Sequence, residues 1–367
     1  MGAMCTLRIA VVGLRFGTAF AHLYHLHPDV AEVVLCDPDA AVLTRVAGEV
    51  GGCRTLPSLE AVLADPAIDG VHLCTPIPLH VPQALACLQA GKHVACAVPA
   101  STDIDDCRML VDAEQRSGKR YFMAETQNFS AEFFLVREMI TQGKLGRLQY
   151  LKGAHHQNMD NWPGYWKGLP PMWYATHALM PLLTIAGAPI THVSCMGSGS
   201  IRQELADCYG SPFACETAIF RFANGLAAQV ERSLFESATP GCESFEVFGS
   251  QAGFSHNRII RLGEQVASWG RGLTTTTEHV HPPQRLDLLP PAFALKLLGT
   301  APGNPAHPAH DGHGGSHPHL VNEFVGCIRD DRPSAIPAAA AASCCAAALV
   351  AHQSALQGGV LLPVPSY

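Results

Sequence analysis

The chain has 367 residues, enough for two domains each with its own core. Its net charge of −7, with no basic block, argues against a nucleic-acid partner. It shows no apolar run of 18 or more residues and no charged-then-apolar leader, so neither a membrane span nor secretion is expected and a cytoplasmic protein is. None of the fourteen cysteines forms a C-x-x-C pair. Several, such as Cys36, Cys74, Cys96 and Cys195, lie in apolar runs, so they read as reduced, buried small hydrophobes and not as disulfides or zinc ligands.

The first elements form a unit. The apolar run from Leu7 to Val12 meets Gly13, a helix-compatible segment runs to His27, and a second strand from Val30 to Cys36 ends at Asp37. Strand, glycine turn, helix and an acid closing the next strand make the first unit of a dinucleotide-binding fold: the turn lets backbone approach a pyrophosphate, which rests on the positive helix end. In the register of G-x-G-x-x-G, Gly13 fits the first position, Arg15 takes the second and Thr18 the third, with Gly17 one place early. Asp37, 24 residues after Gly13, is placed to accept from a ribose 2′-hydroxyl and would repel a 2′-phosphate, which favours NAD over NADP. Arg15 either stacks on or pairs with the cofactor, or points to solvent.

Alternation continues with a helix near 40–50, a short strand near 53–56, and a helix from Ser58, a capping residue with Glu60 in the first turn. Strands are expected at 71–74, 93–98 and 121–124, and helices at 79–90 and 103–117, the latter two stopped by Gly91 and Gly118. The fold class is therefore α/β, a doubly wound parallel sheet over residues 1–126.

The pattern then changes. A linker helix is expected over 131–141, a helix over 173–186, and extended segments near 148–155, 192–197, 216–222, 226–235 and 245–249. Short turns such as Ala223-Asn224-Gly225 imply hairpins. Residues 127–367 thus read as an α+β domain with a large open, mainly antiparallel sheet, whose free face suits a partner subunit, so a homodimer or homotetramer is expected. Residues 301–319, rich in Pro, Gly and His, read as a loop, and helices follow at 320–330 and 338–357, which could pack back on the first domain.

Three stretches together resemble the glucose–fructose oxidoreductase/inositol dehydrogenase/MocA group of sugar and cyclitol dehydrogenases: the turn at Gly13, the run Cys74–His80, and Ala90–Ala100. The resemblance implies NAD as cofactor, held by Gly13, Arg15, Phe16, Gly17, Asp37, Thr75, Pro76, His80, Val98 and Pro99. In that group the last stretch normally carries Glu-Lys-Pro, with the lysine assisting proton transfer at the substrate hydroxyl. Here those positions are Ala97, Val98 and Pro99, and valine cannot serve as a base. His177 matches the family histidine and, by resemblance, lies next to the nicotinamide, which makes it the candidate base; a packed helix histidine is the alternative.

A narrower resemblance, to NAD-dependent glycosidases typified by α-N-acetylgalactosaminidase, rests on Val98-Pro99, Tyr174-Ala175-Thr176-His177 and Gly312-His313-Gly314-Gly315. It implies transient oxidation at carbon 3 of a sugar, elimination of the leaving group, addition of water and return of the hydride. His155 falls where that group has a tyrosine base, and Tyr174 joins His155 and His177 as candidate catalytic residues. Trp166, Trp173 and His313 are the candidate substrate contacts, since aromatic faces suit a sugar ring, although inter-domain packing accounts for the tryptophans as well. The histidines at 307, 310, 313, 317 and 319 have metal-ligand spacing, but only Asp311 joins them and His313 is already assigned to substrate, so no metal is expected. The readings are a dehydrogenase of a sugar, cyclitol or glycoside, a redox-neutral NAD-dependent glycosidase, and a non-catalytic NAD-binding regulator.

Overall fold

A computed structural model describes residues 6–238, 242–267, 270–300 and 313–367, and the chain divides into two compact units. The first comprises residues up to Phe129, Gln284–Cys345 and Tyr367; the second comprises Ser130–Pro283 and Ala346–Ser366.

In the first unit, β1 (Leu7–Val12), β2 (Val30–Cys36), β3 (Arg54–Leu56), β4 (Gly70–Leu73), β5 (His93–Cys96) and β6 (Tyr121–Met123) form one parallel sheet in the order β3-β2-β1-β4-β5-β6. The order reverses between β1 and β4, which opens a crevice at the carboxyl ends of the central strands. Helices α1 (Leu14–Leu26), α2 (Ala40–Val50), α3 (Leu59–Ala64), α4 (His80–Gln89) and α5 (Ile104–Ser117) alternate with the strands. Asp39, Ser58 and Asp103 cap α2, α3 and α5 by accepting backbone N–H groups, which satisfies donors that the first helical turn leaves unpaired.

Residues 284–345 return to this unit, so the division is not one cut at 126/127. α9 (Pro291–Leu298) and α10 (His317–Arg329) belong to it. A Cβ on Gly70 would lie 3.1 Å from Phe324 and 3.2 Å from Ile328, so the absent side chain is what lets α10 lie on β4. α10 starts three residues earlier than the sequence pattern suggests because Pro318 is suited to a first helical turn. Most of the histidine loop, His307, His310, Asp311 and Gly312 included, lies outside the described residues.

After α6 (Ala131–Thr141), the second unit builds a nine-stranded sheet from β7 (Leu148–His156), β8 (Ile190–Ser198), β9 (Cys215–Phe222), β10 (Ala227–Ser233), β11 (Cys242–Gly249), β12 (Ala252–Ser255), β13 (Arg258–Ala267), β14 (Gly270–His279) and β15 (Leu362–Pro363). The order is β14-β13-β12-β11-β7-β10-β9-β8-β15, antiparallel except at β7–β10. The expected hairpin joins β9 to β10, with Gly225 at φ +88°. Strands β12–β14 exceed the sequence expectation: their hairpin at His256-Asn257 takes φ values of 47° and 56° without the usual glycine. Helix α7 (Thr176–Ala186) covers β7, β10 and β11, while the short α8 (Gln203–Tyr209) precedes β9. Helix α11 (Ala338–Leu356) is long and apolar enough to cross a membrane, but 72% of its most apolar stretch is buried within the structure, as in a core helix.

Candidate active site

In the first unit the glycine turn has no room for any other residue. Gly13 sits at φ +89°, where L side chains are strained, and a Cβ there would lie 2.6 Å from the Cys74 carbonyl oxygen. Gly17 faces inward on α1, where a Cβ would lie 2.8 Å from Val11 Cγ1, so the glycine displaced by one place from the motif still performs the packing of helix on strand. The N–H of Leu14 donates to Asp37 Oδ2 at 2.8 Å and that of Asp39 to Asp37 Oδ1 at 2.9 Å. Each carboxylate oxygen retains acceptor capacity for a further donor such as a ribose hydroxyl.

Behind the turn, His80 ties two loops together. Its Nδ1 lies 2.8 Å from the Pro99 carbonyl and its Nε2 lies 2.8 Å from the Thr75 carbonyl, while Thr75 Oγ1 donates to Gln83 at 2.6 Å. Burial lowers the His80 pKa, opposed by these two carbonyls. The segment carrying Pro76 and the Val98–Pro99 peptide, which is cis, is thereby held in place. Arg15 is 81% exposed and pairs with Asp39 at 3.3 Å; Phe16, 48% exposed, sets its ring edge-on to Phe20 and His317. His313 stacks obliquely on His317 with 5.3 Å between ring centres.

These features fit a dinucleotide: a side-chain-free cradle at a helix start, an acid closing β2, and the crevice where the strand order reverses.

The second unit holds a cluster of different chemistry. On β7, Leu151, Gly153 and His155 lie at positions of the buried face. A Cβ on Gly153 would lie 2.2 Å from the Ala178 carbonyl oxygen, so this glycine permits α7 to approach β7 and brings His177, in the first turn of α7, to His155. The two buried imidazoles stand 5.0 Å apart between ring centres. Tyr174 Oη and His177 Nε2 share a hydrogen bond of 3.1 Å. Trp166 packs edge-on to the Tyr174 ring at 4.7 Å, whereas Trp173 faces Tyr209 and His352.

Sheet register supplies the rest. His155 pairs with Arg232 on β10 and with Glu243 on β11, and Arg232 pairs in turn with Glu216 on β9. A row of four ionisable side chains therefore crosses four strands. Glu243 Oε1 lies 3.5 Å from His155 Nε2. Arg232, fully buried, donates to the carbonyls of Tyr174 at 2.6 Å, His155 at 2.8 Å and Ser233 at 2.6 Å, to Gln157 at 2.9 Å, and lies 5.1 Å from the Tyr174 ring centre. Burial pushes its pKa down to about 9, and the nearby Tyr174 and Glu243 oppose that shift. Glu216 accepts the N–H of Met172 at 2.8 Å and contacts His352 Nδ1 at 2.5 Å, which fixes the turn leading into Tyr174.

Comparison with known proteins identifies the chain. Residues 7–125 match the family model described as the oxidoreductase family with an NAD-binding Rossmann fold, and residues 133–255 match the GFO/IDH/MocA C-terminal domain. The chain belongs to the GFO/IDH/MocA oxidoreductase family. It is 33% identical over 156 residues to inositol 2-dehydrogenase of Mycolicibacterium smegmatis, covering 41% of this chain and 45% of that protein. It is 26% identical over 199 residues to a glycosyl hydrolase family 109 protein of Saccharopolyspora erythraea, covering 48% and 43%. The chain thus spans under half the length of these curated relatives. Levoglucosan dehydrogenase, solved with NADH and levoglucosan, shares the fold with a TM-score of 0.75 at 18% identity, over 98% of this chain and all of that one.

For this GFO/IDH/MocA chain, sequence reading missed Glu243, Arg232 and Glu216. Each left a signal. Glu216 shares its strand phase with Ala218, Phe220 and Phe222, Arg232 with Ala228 and Val230, and Glu243 with Phe245 and Val247, so each charge falls on the apolar face of an alternating strand. That Glu243 meets His155 left none, because it depends on pairing between positions 88 residues apart.

Proposed function

We propose that the chain is an NAD-dependent oxidoreductase acting on a secondary hydroxyl of a sugar, cyclitol or glycoside. The observation that carries the reading is the Tyr174–His177 hydrogen bond beside His155, a proton-handling cluster in a chain whose other unit is a Rossmann domain. Bound NAD supplies the acceptor for a hydride from the carbinol carbon. Gly13, Gly17 and Asp37 bind it, with Arg15, Phe16, Thr75, Pro76, His80, Val98 and Pro99 lining the same loops. The Tyr174–His177 pair handles the hydroxyl proton, Arg232 holds the backbone of His155 and Tyr174, and Trp166, Trp173 and His313 contact substrate. Thirteen free cysteines among the described residues suit a cytoplasmic setting, and exposed Met196 and Ile219 on the second sheet suit a homodimer or homotetramer.

A second reading, redox-neutral cleavage of a glycoside, is favoured by the presence of two imidazoles where simple oxidation needs one base. His155 would remove the proton beside the transient ketone, and the hydride would then return. Purified protein incubated with NAD and a panel of polyols and aryl glycosides in heavy water separates these readings. Stoichiometric NADH with an oxidised product supports the dehydrogenase; a cleaved product deuterated at carbon 2 with no net NADH supports the glycosidase. His177→Ala should lower either turnover by about a hundredfold with NAD affinity retained. Tight NAD binding with no turnover on any member of the panel would leave a non-catalytic regulator.

A further inference from the structure

We propose that His155, His177 and Glu243 bind one divalent transition-metal ion of the zinc class. The three residues come from β7, α7 and β11, and one ligand atom from each lies within 4.8 Å of the other two. Zinc–nitrogen and zinc–oxygen bonds of about 2.1 Å in a tetrahedron set ligand atoms about 3.4 Å apart. His155 Nε2 and Glu243 Oε1 already stand 3.5 Å apart. Ligand atoms at the 4.8 Å limit need about 1.4 Å of closure to reach that spacing, within reach of side-chain rotation at His177.

Burial and chemistry agree. The imidazoles are 0% and 2% exposed and the carboxylate side chain is 17% exposed, so the ligands would be held among packed neighbours with one flank open to a further ligand. Two imidazoles and one carboxylate are a borderline donor set that suits zinc or cobalt, whereas magnesium and calcium take all-oxygen sites. Neighbouring contacts hold the elements that carry the ligands: Tyr174 Oη meets His177 Nε2, and Arg232 donates to the backbone carbonyl of His155. All four guanidinium contacts go to carbonyl groups, while Glu243 and Glu216 at the two ends of the row offset the positive charges of Arg232 and an ion.

A cation here would lower the pKa of a coordinated hydroxyl as it does that of bound water, the positive charge that a valine at position 98 does not provide. With the ion bound, His177 serves as a ligand and Tyr174 keeps the proton-handling half of their pair. The ion's use in the reaction rests on the oxidoreductase reading; its binding does not.

The test uses untagged full-length protein, stripped with chelator and titrated with Zn²⁺ and Co²⁺. One ion per chain is expected, with a visible cobalt absorption band and a first shell of two imidazoles plus oxygen by X-ray absorption. Glu243→Gln, close to isosteric, should weaken that ion about a hundredfold or more and abolish the band, with NAD affinity and thermal melting unchanged. The histidines at 307–319 are another source of binding, so only the Glu243-dependent ion counts. A first shell of three or more imidazoles, no stoichiometric ion, or undiminished binding in folded Glu243→Gln overturns the site. Chelated protein that binds no ion but still reduces NAD with a polyol overturns the site and leaves the oxidoreductase reading standing. A Glu243-dependent ion with no NAD-linked activity supports the site and removes that reading.

Discussion

Gly13→Ala isolates what the glycine turn requires of the backbone. At φ +89° an alanine costs about 1–2 kcal/mol from the left-handed conformation alone. Its Cβ would also lie 2.6 Å from the oxygen and 2.8 Å from the carbon of the Cys74 carbonyl, backbone atoms that cannot swing aside. Shifting the end of β4 by most of an ångström adds overpacking of about 1–3 kcal/mol. Gly51 is the internal control, since it adopts φ +98° with nothing within 4 Å of a built Cβ. Urea denaturation of both variants should show Gly51→Ala losing about 1–2 kcal/mol and Gly13→Ala about 2–5 kcal/mol. The excess measures the clash. Because the displaced carbonyl sits at the mouth of the crevice, Gly13→Ala should also weaken NAD binding at least tenfold, and Gly51→Ala should not. Equal destabilisation of the two variants with wild-type NAD affinity in Gly13→Ala would refute the argument that close backbone approach fixes this turn.

Two further outcomes are expected. Asp37, the carboxylate that closes β2, should make NAD bind at least tenfold more tightly than NADP, about 1.4 kcal/mol, and Asp37→Ser should narrow the ratio; equal titrations in the wild type would remove the argument. His72, buried between Phe20 and Tyr24, has its pKa lowered to about 3 from 6.5 by burial and by nearby His317. Its folded pKa lies below the unfolded value, so the unfolded chain binds more protons between them. Stability is complete above about pH 6.5 and falls as pH drops towards 3, by about 4 kcal/mol from this group. His72→Leu should therefore flatten the acid limb of a stability–pH curve relative to wild type, and an unchanged limb would count against it.

Much of the first unit was legible because its signals are local. A strand of apolar residues ending in glycine, an acid closing the next strand, capping residues at Ser58 and Asp103, and glycine at helix ends each act within a few residues. Hence parallel alternation and the glycine turn after β1 could be read along the chain, and the misregistered Gly17 meets Val11 as the motif's third glycine would. That the C-terminal helices could pack back on that unit was open from the sequence, but the contact that seats α10 was not legible, since it depends on Gly70 making room for Phe324 and Ile328 from 254 and 258 positions away.

For the second unit, sequence determined which residue types were available: resemblance to the family marked His155, His177 and Tyr174 as candidates. Tertiary structure decided what they became. Gly153 admits α7 to the sheet and so joins the two histidines, and the mixed register β10-β7-β11 sets Arg232 and Glu243 on either side of His155. A one-residue slip in either pairing would turn those charges to the opposite face. Strand register is a cooperative property of the whole sheet, written in no single segment, and for that reason the row of charges from Glu243 to Glu216 emerges only once the chain is folded.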